Sequence, residues 1–209
     1  MRNCIDLVEG LNIGIAAPKL LFHGSDRLLA HPFRPFTHFG TYRAALERVT
    51  SKVWKANHHW DEVRNEYVTN TGAQLYVYPV VVAICSTLRI TDLKGVIKVH
   101  TPIMLADLLH YDMPKQILTS AERDEVIGAG DGGYETIAKL LNNKGYDGLV
   151  YKNNHEDRGS DSWITLADGQ AVPNKPLRLT LADAAQELGI TMPKCNSDEI
   201  INFAGQSMN

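Results

Sequence analysis

The stretch Gln74 to Ile84, QLYVYPVVVAI, limits what this chain can fold into more than any other. It is dense in β-branched and aromatic residues, which pack well on a pleated surface, so it reads as a central, mostly buried strand. Pro79 cannot donate to a ladder and points to an edge or a bulge within it. The remaining elements arrange themselves around this strand. A short strand over Lys19 to His23 leads into a loop with Pro32, Pro35 and aromatic residues. A helix then begins at Thr41, a suitable N-cap, with Ala44, Ala45, Leu46 and Val49 inward and Arg43, Glu47 and Arg48 outward. Ser51 to Val68 is polar and mixed, and Ile90 to Leu93 continues the sheet. Pro102 to Ile127 is helical in pattern, punctuated by Pro114 and Thr119. A further helix over Tyr134 to Asn142 has Asp131 before it as cap and Gly145 after it. Two strands, Leu149 to Tyr151 and Trp163 to Leu166, flank the polar loop NNHEDRGSDS. Beyond Gln170 come Pro173, Pro176 and an amphipathic helix over Leu181 to Leu188.

With 209 residues and 44% hydrophobic content the chain can build one domain with a real core. A net charge of -3 and a pI near 6.2 exert no general pull toward nucleic acid or anionic lipid. Cys4, Cys85 and Cys195 are odd in number and never form a CxxC pair, which fits reduced thiols in a cytosol better than a disulfide framework or a zinc site. Arg2 is soon followed by Asp6 and Glu9, so no leader pattern is present, and no run approaches the roughly 18 apolar residues of a membrane span.

Three separated stretches carry polar groups that packing does not require: LFHGSD at Leu21 to Asp26, THFGTYRAALER at Thr37 to Arg48, and GYDGLVYKNNHEDRGSDSWITL at Gly145 to Leu166. The first ends an apolar run in an imidazole, a bare backbone and a hydroxyl. Together the three resemble the motifs of the diphtheria-toxin-like and PARP-like ADP-ribosyltransferases, and in particular small bacterial and phage members of that superfamily. The resemblance covers Lys19 to Leu166. It implies an α+β fold, an ADP-ribosyltransferase-like split β-sandwich with flanking helices over residues 19–170, with extensions at 1–18 and 171–209. It implies NAD as co-substrate, cleaved at the nicotinamide-ribose bond, with ADP-ribose passed by a mono-transferase to a macromolecular acceptor, a protein. An effector or toxin acting in the cytoplasm, of the producing cell or of a host into which it is delivered, fits that implication.

The chemistry assigns residues to roles. Nicotinamide departs with an oxocarbenium-like transition state, as in glycoside hydrolysis, so the site needs a carboxylate near the sugar and a flat, amide-recognising pocket. By resemblance, His23 bonds the adenosine-side ribose, Gly24 lets backbone N–H and C=O reach the nicotinamide amide, and Ser25 supports the nicotinamide or ribose end. His38 stands where many members carry tyrosine, leaving stacking to its imidazole, to Phe39 or to Tyr42. Gly40 lets the backbone pass close to the ligand, and Thr41 caps the helix and faces the pocket. No glutamate directly precedes Trp163 in the third motif. Asp161 is favoured as the catalytic carboxylate because a strand end is better fixed than a loop, but the one-residue offset then requires a bulge at Gly159-Ser160. Without a bulge, Ser162 faces the site and Glu156 becomes the better candidate. GYDGLVY is architectural, with Tyr146 or Tyr151 as a pocket wall.

Other patterns read blandly. Gly128 to Gly133 spells GxGxxG but follows a helix end rather than a strand, so it reads as an interhelical loop. The clusters at His58 to Asp61 and His155 to Asp157 lack metal-ligand spacing and read as solvated surface, and no metal is expected. An NAD glycohydrolase, with water as acceptor, and a catalytically silent NAD- or partner-binding protein of the same fold are the rival functions. No membrane or nucleic-acid partner is indicated, and the acidic pattern of arginine-specific relatives is missing.

Overall fold

The computed structural model describes residues 16–18, 20–30, 33–92 and 102–191. The expectations placed on the N-terminal stretch, Lys19, Pro32, Leu93 and Cys195 fall outside them. The arrangement is α+β. Strand β1 (Leu20–Ser25) pairs antiparallel with β5 (Gln74–Val82), which also pairs with β9 (Ala171–Pro173) and β10 (Leu177–Thr180). A second four-stranded sheet runs β2 (His38–Phe39), β8 (Asp161–Thr165), β7 (Gly148–Lys152), β6 (Thr87–Arg89), with β6 and β7 parallel. The hairpin β3 (His58–Asp61) and β4 (Glu66–Thr69) forms a third, two-stranded sheet.

Strand β5 is central, as its composition demands, and Pro79 lies beside an irregularity in its pairing: between Val80↔Pro173 and Val77↔Leu177 the partner side carries one extra residue, a bulge opposite Tyr78 and Pro79. Tyr78 and Pro79 fall between the stretch paired with β10 and the stretch paired with β9, so the missing N–H faces a gap in the ladder. The Pro79 carbonyl accepts from Asn174 N at 2.8 Å. Alternation along β5 builds two cores. Tyr78, Val80 and Val82 meet Phe39, Val150 and Trp163 between the two large sheets. Leu75 and Val77 meet Leu46, Val49 and Val53 of helix α1 (Tyr42–Asn57), with Leu181 and Ala184 of α5 (Leu181–Leu188) beside them. A third core, around Leu109, Ile137, Leu141 and Leu149, joins the far face of the second sheet to α2 (Pro102–Asp107), α3 (Ser120–Gly128) and α4 (Gly133–Asn143).

The caps follow simple hydrogen-bonding needs. Thr41 accepts from Ala44 N at 3.1 Å to start α1, and Thr119 and Glu122 form a reciprocal capping box at α3. Asp131 does not cap α4: Gly132 does, at the end of a 3-10 turn, and Asp131 lies within that turn. The Gly128 to Gly133 stretch joins α3 to α4 and follows no strand. Cys85 is disulfide-bonded, which corrects the expectation of a free thiol at that position. Among the described residues no helix is long and apolar enough to cross a membrane.

Candidate active site

The two large sheets meet at one place. Phe22 N donates to Gly40 O at 2.9 Å and Gly40 N to Phe22 O at 3.0 Å, a single bridge that ties β1 to the end of β2. Because both main-chain groups of Phe22 turn toward Gly40, alternation turns those of Gly24 toward the same edge, past the last bridge. That edge offers one N–H and one C=O side by side. The opposite requirement also falls on Gly24: a Cβ there would lie 2.4 Å from Ala45 O and 2.8 Å from Val49 Cβ, so the lack of a side chain is what lets α1 pack on β1. Ser25 is buried and its hydroxyl donates to Arg27 O at 2.7 Å, closing the turn after the strand.

Next to the bridge, one face of the second sheet gathers polar side chains. Register pairs His38 with Ile164 and Tyr151 with Ser162, which puts His38, Tyr151 and Ser162 on one face. His38 Nδ1 and the Tyr151 hydroxyl are 2.9 Å apart, with the rings edge to face. Burial first, and then the charges of Glu156 and Asp92, push the Tyr151 hydroxyl up to about 12 against a hydrogen bond with Ser162, so it stays protonated at neutral pH. A Cβ on Gly40 would stand 3.0 Å from Ser162 Oγ, so the glycine keeps this corner open. Asn153 is buried and its Nδ2 donates to Ser162 Oγ at 2.9 Å and Ser160 Oγ at 3.0 Å, fixing the base of the β7–β8 loop.

That loop is bound to α1. Arg48 Nη1 donates to Glu156 Oε1 at 3.0 Å, Asp157 N donates to Glu47 Oε2 at 2.6 Å, and Thr41 Oγ1 donates to Asp157 Oδ2. Glu156, on this clamped loop, is one of the charges that raise the Tyr151 hydroxyl.

Asp161 lies elsewhere. Strands β7 and β8 pair residue for residue from Lys152↔Asp161 to Gly148↔Thr165, with no bulge, so Asp161 faces away from Ser162. It accepts from Arg89 Nη1 and Nη2 at 2.9 Å each, and that hydrogen-bonded guanidinium holds its carboxyl below the usual range. Phe39 is 1% exposed in the core between the sheets, and Tyr42 packs edge-on against Phe22, so neither ring is placed beside His38 as a wall. His23 lies on the inter-sheet face of β1 with Phe33 and Phe39 around it, and its Nδ1 is 2.9 Å from His38 O. The structure thus places His38 and Thr41 near the Phe22–Gly40 bridge and Glu156 on the loop clamped to α1, while Ser25 closes a turn, Phe39 packs in the core and Asp161 pairs with Arg89. The three stretches singled out by composition do converge. Tyr151 was within reach of the sequence as a candidate, whereas Asn153, Glu47 and Arg48 were not, because their partners are distant in the chain.

No family model matches the chain, and no curated protein does. A search of solved structures matches a chain of the M. tuberculosis MbcT–MbcA toxin-antitoxin complex over 84% of this chain and 90% of that one, at 14% identity and a TM-score of 0.38. A likeness this loose fixes neither fold nor activity.

Proposed function

We propose that the chain is an ADP-ribosyltransferase of split β-sandwich type that cleaves NAD at the nicotinamide-ribose bond. The observation that carries this reading is the meeting of all three sequence stretches at the Phe22–Gly40 bridge, where a bare strand edge and an aromatic pair lie together, with a clamped carboxylate on the β7–β8 loop.

Each part has work that suits its chemistry. The Gly24 N–H and C=O match the complementary pair on a carboxamide such as that of nicotinamide. His38 and Tyr151 supply flat surface for the pyridinium ring. His23, if Nδ1–H donates to His38 O, offers Nε2 as an acceptor for a ribose hydroxyl. Glu156 supplies the negative charge that an oxocarbenium-like transition state needs, and as an acceptor it holds the 2-hydroxyl of the nicotinamide ribose. The glycosidic C–N bond breaks with its electron pair leaving on nicotinamide. A nucleophile on a macromolecular acceptor then bonds to the anomeric carbon and gives up its proton. Ser162 and Asn153 orient the loop and do not touch the reacting carbon.

Incubation with NAD and a cell lysate tests this reading. Nicotinamide release together with ADP-ribose on protein supports transfer to a protein acceptor. Release with free ADP-ribose alone replaces the acceptor with water and makes the chain a glycohydrolase. No release, with the chain folded, sinks the catalytic reading in favour of a silent binding protein.

A further inference from the structure

Glu47 belongs to the outer face of α1 by sequence, yet its carboxylate ties the helix to the β7–β8 loop. One oxygen, Oε1, accepts from Arg43 Nε at 2.8 Å; the other, Oε2, accepts from the main-chain N–H of Asp157 at 2.6 Å. Asp157 adopts φ of +38°, in the left-handed region that residues with a Cβ occupy uncommonly, aspartate more readily than most. Within the loop, Ser160 N donates to Asp157 O at 3.0 Å, and the remaining holding groups come from α1 and its N-cap. Glu47 takes the Asp157 N–H, Thr41 Oγ1 binds the Asp157 carboxylate, and Arg48 binds the carboxylate of the preceding residue, Glu156.

We infer that Glu47 is a positioning residue for the NAD-cleaving site: acting through the Asp157 N–H, it fixes the loop turn that carries Glu156, whose carboxylate is held beside Arg48 of α1. The inference rests on the reading of Glu156 as the catalytic carboxylate. A charge-assisted hydrogen bond to a main-chain N–H is short and strong and acts on the loop backbone itself, whereas an exposed ion pair such as Arg48–Glu156 joins two flexible side chains. Arg48 is more than half exposed at its side chain, and Glu47 less than a quarter. Loss of the Glu47 acceptor leaves Asp157 in its left-handed conformation with one support removed, and the adjacent Glu156 loses its fixed direction. Catalysis falls steeply when a charged group is displaced by about 1 Å, while binding of the rest of a large substrate changes little.

The experiment compares wild type with Glu47→Ala, Glu47→Gln and Glu156→Gln. Glutamine keeps an oxygen that can accept from Asp157 N, so Glu47→Gln is the conservative rescue. Two readouts are taken: kcat and KM for nicotinamide release, and hydrogen exchange of the Asp157 amide by NMR. Glu47→Ala is expected to lower kcat about tenfold with KM within about twofold, and to remove Asp157 amide protection. Glu47→Gln is expected to restore most of both. Because Glu47 is not in the core, both variants are expected to fold, and Asp157 exchange reads the clamp even without activity. The inference is overturned if Glu47→Ala keeps Asp157 protected, or if it loses that protection with kcat unchanged. Failure of the functional reading looks different: wild type releases no nicotinamide, or Glu156→Gln is as active as wild type, while Asp157 exchange still responds to Glu47.

Discussion

At His23 the environment opposes a positive charge. Burial among Phe33 and Phe39 lowers its pKa from the ordinary 6.5, outweighing the raising effect of the hydrogen bond to His38 O, and Lys52 lowers it further. The neutral ring is therefore favoured in the folded state, while the unfolded chain takes up a proton as the pH falls below 6.5. With more protons bound in the unfolded state, stability contributed through this residue is full above that pH and declines as pH drops from it toward the lowered folded-state value. Urea titrations of wild type and His23→Gln over that range are expected to differ in slope, with wild type losing more stability on acidification. Identical slopes contradict a neutral, half-buried ring. Gly24 makes a second demand at this scale: Gly24→Ala drives a Cβ into the α1 backbone and is expected to cost about 1 to 3 kcal/mol in urea unfolding, the usual cost of overpacking.

Helix α1 joins the fold to the site. Its N-cap hydroxyl both starts the helix and holds Asp157, so Thr41→Ala is expected to cost about 1 kcal/mol of stability, measured by denaturant midpoint, and to expose the β7–β8 loop to protease. A destabilised helix with an unchanged cleavage pattern separates the cap from the clamp. The cap and the inner residues Ala44, Ala45, Leu46 and Val49 were legible because a hydroxyl before a 3.6-residue apolar period is a local signal. The extension of α1 to Asn57 and the hairpin after it were not. Ser51, Lys52 and Lys55 mask the continuing period of Val53 and Trp54, and the short strands of the hairpin gain their stability from the stacked rings of Trp54, His58 and Tyr67. Strands β9 and β10 escaped notice for a related reason: three- and four-residue strands carry too little period of their own and are specified by the open side of β5.

Across the whole molecule, the polar anomalies in three distant stretches point to the corner where the site is proposed, and tertiary pairing decides which of their side chains face it. Alternation is unforgiving: one residue separates Asp161, on a face with Arg89, from Ser162, on the face with Tyr151. The rigidity of a strand end over a loop favours Asp161 from sequence alone. The clamp that α1 places on the loop at two consecutive residues spans more than a hundred positions in sequence and leaves no local trace. The most direct test measures nicotinamide release at saturating NAD for wild type, Glu156→Gln and Asp161→Asn, with NAD affinity measured alongside. Removing one preorganised charge at the reacting centre is expected to lower the rate of Glu156→Gln by about 10² to 10³ with NAD still bound, while Asp161→Asn loses its ion pair and stays within a few-fold of wild type. Collapse of Asp161→Asn beside a fully active Glu156→Gln contradicts the site described at the β1–β2 corner.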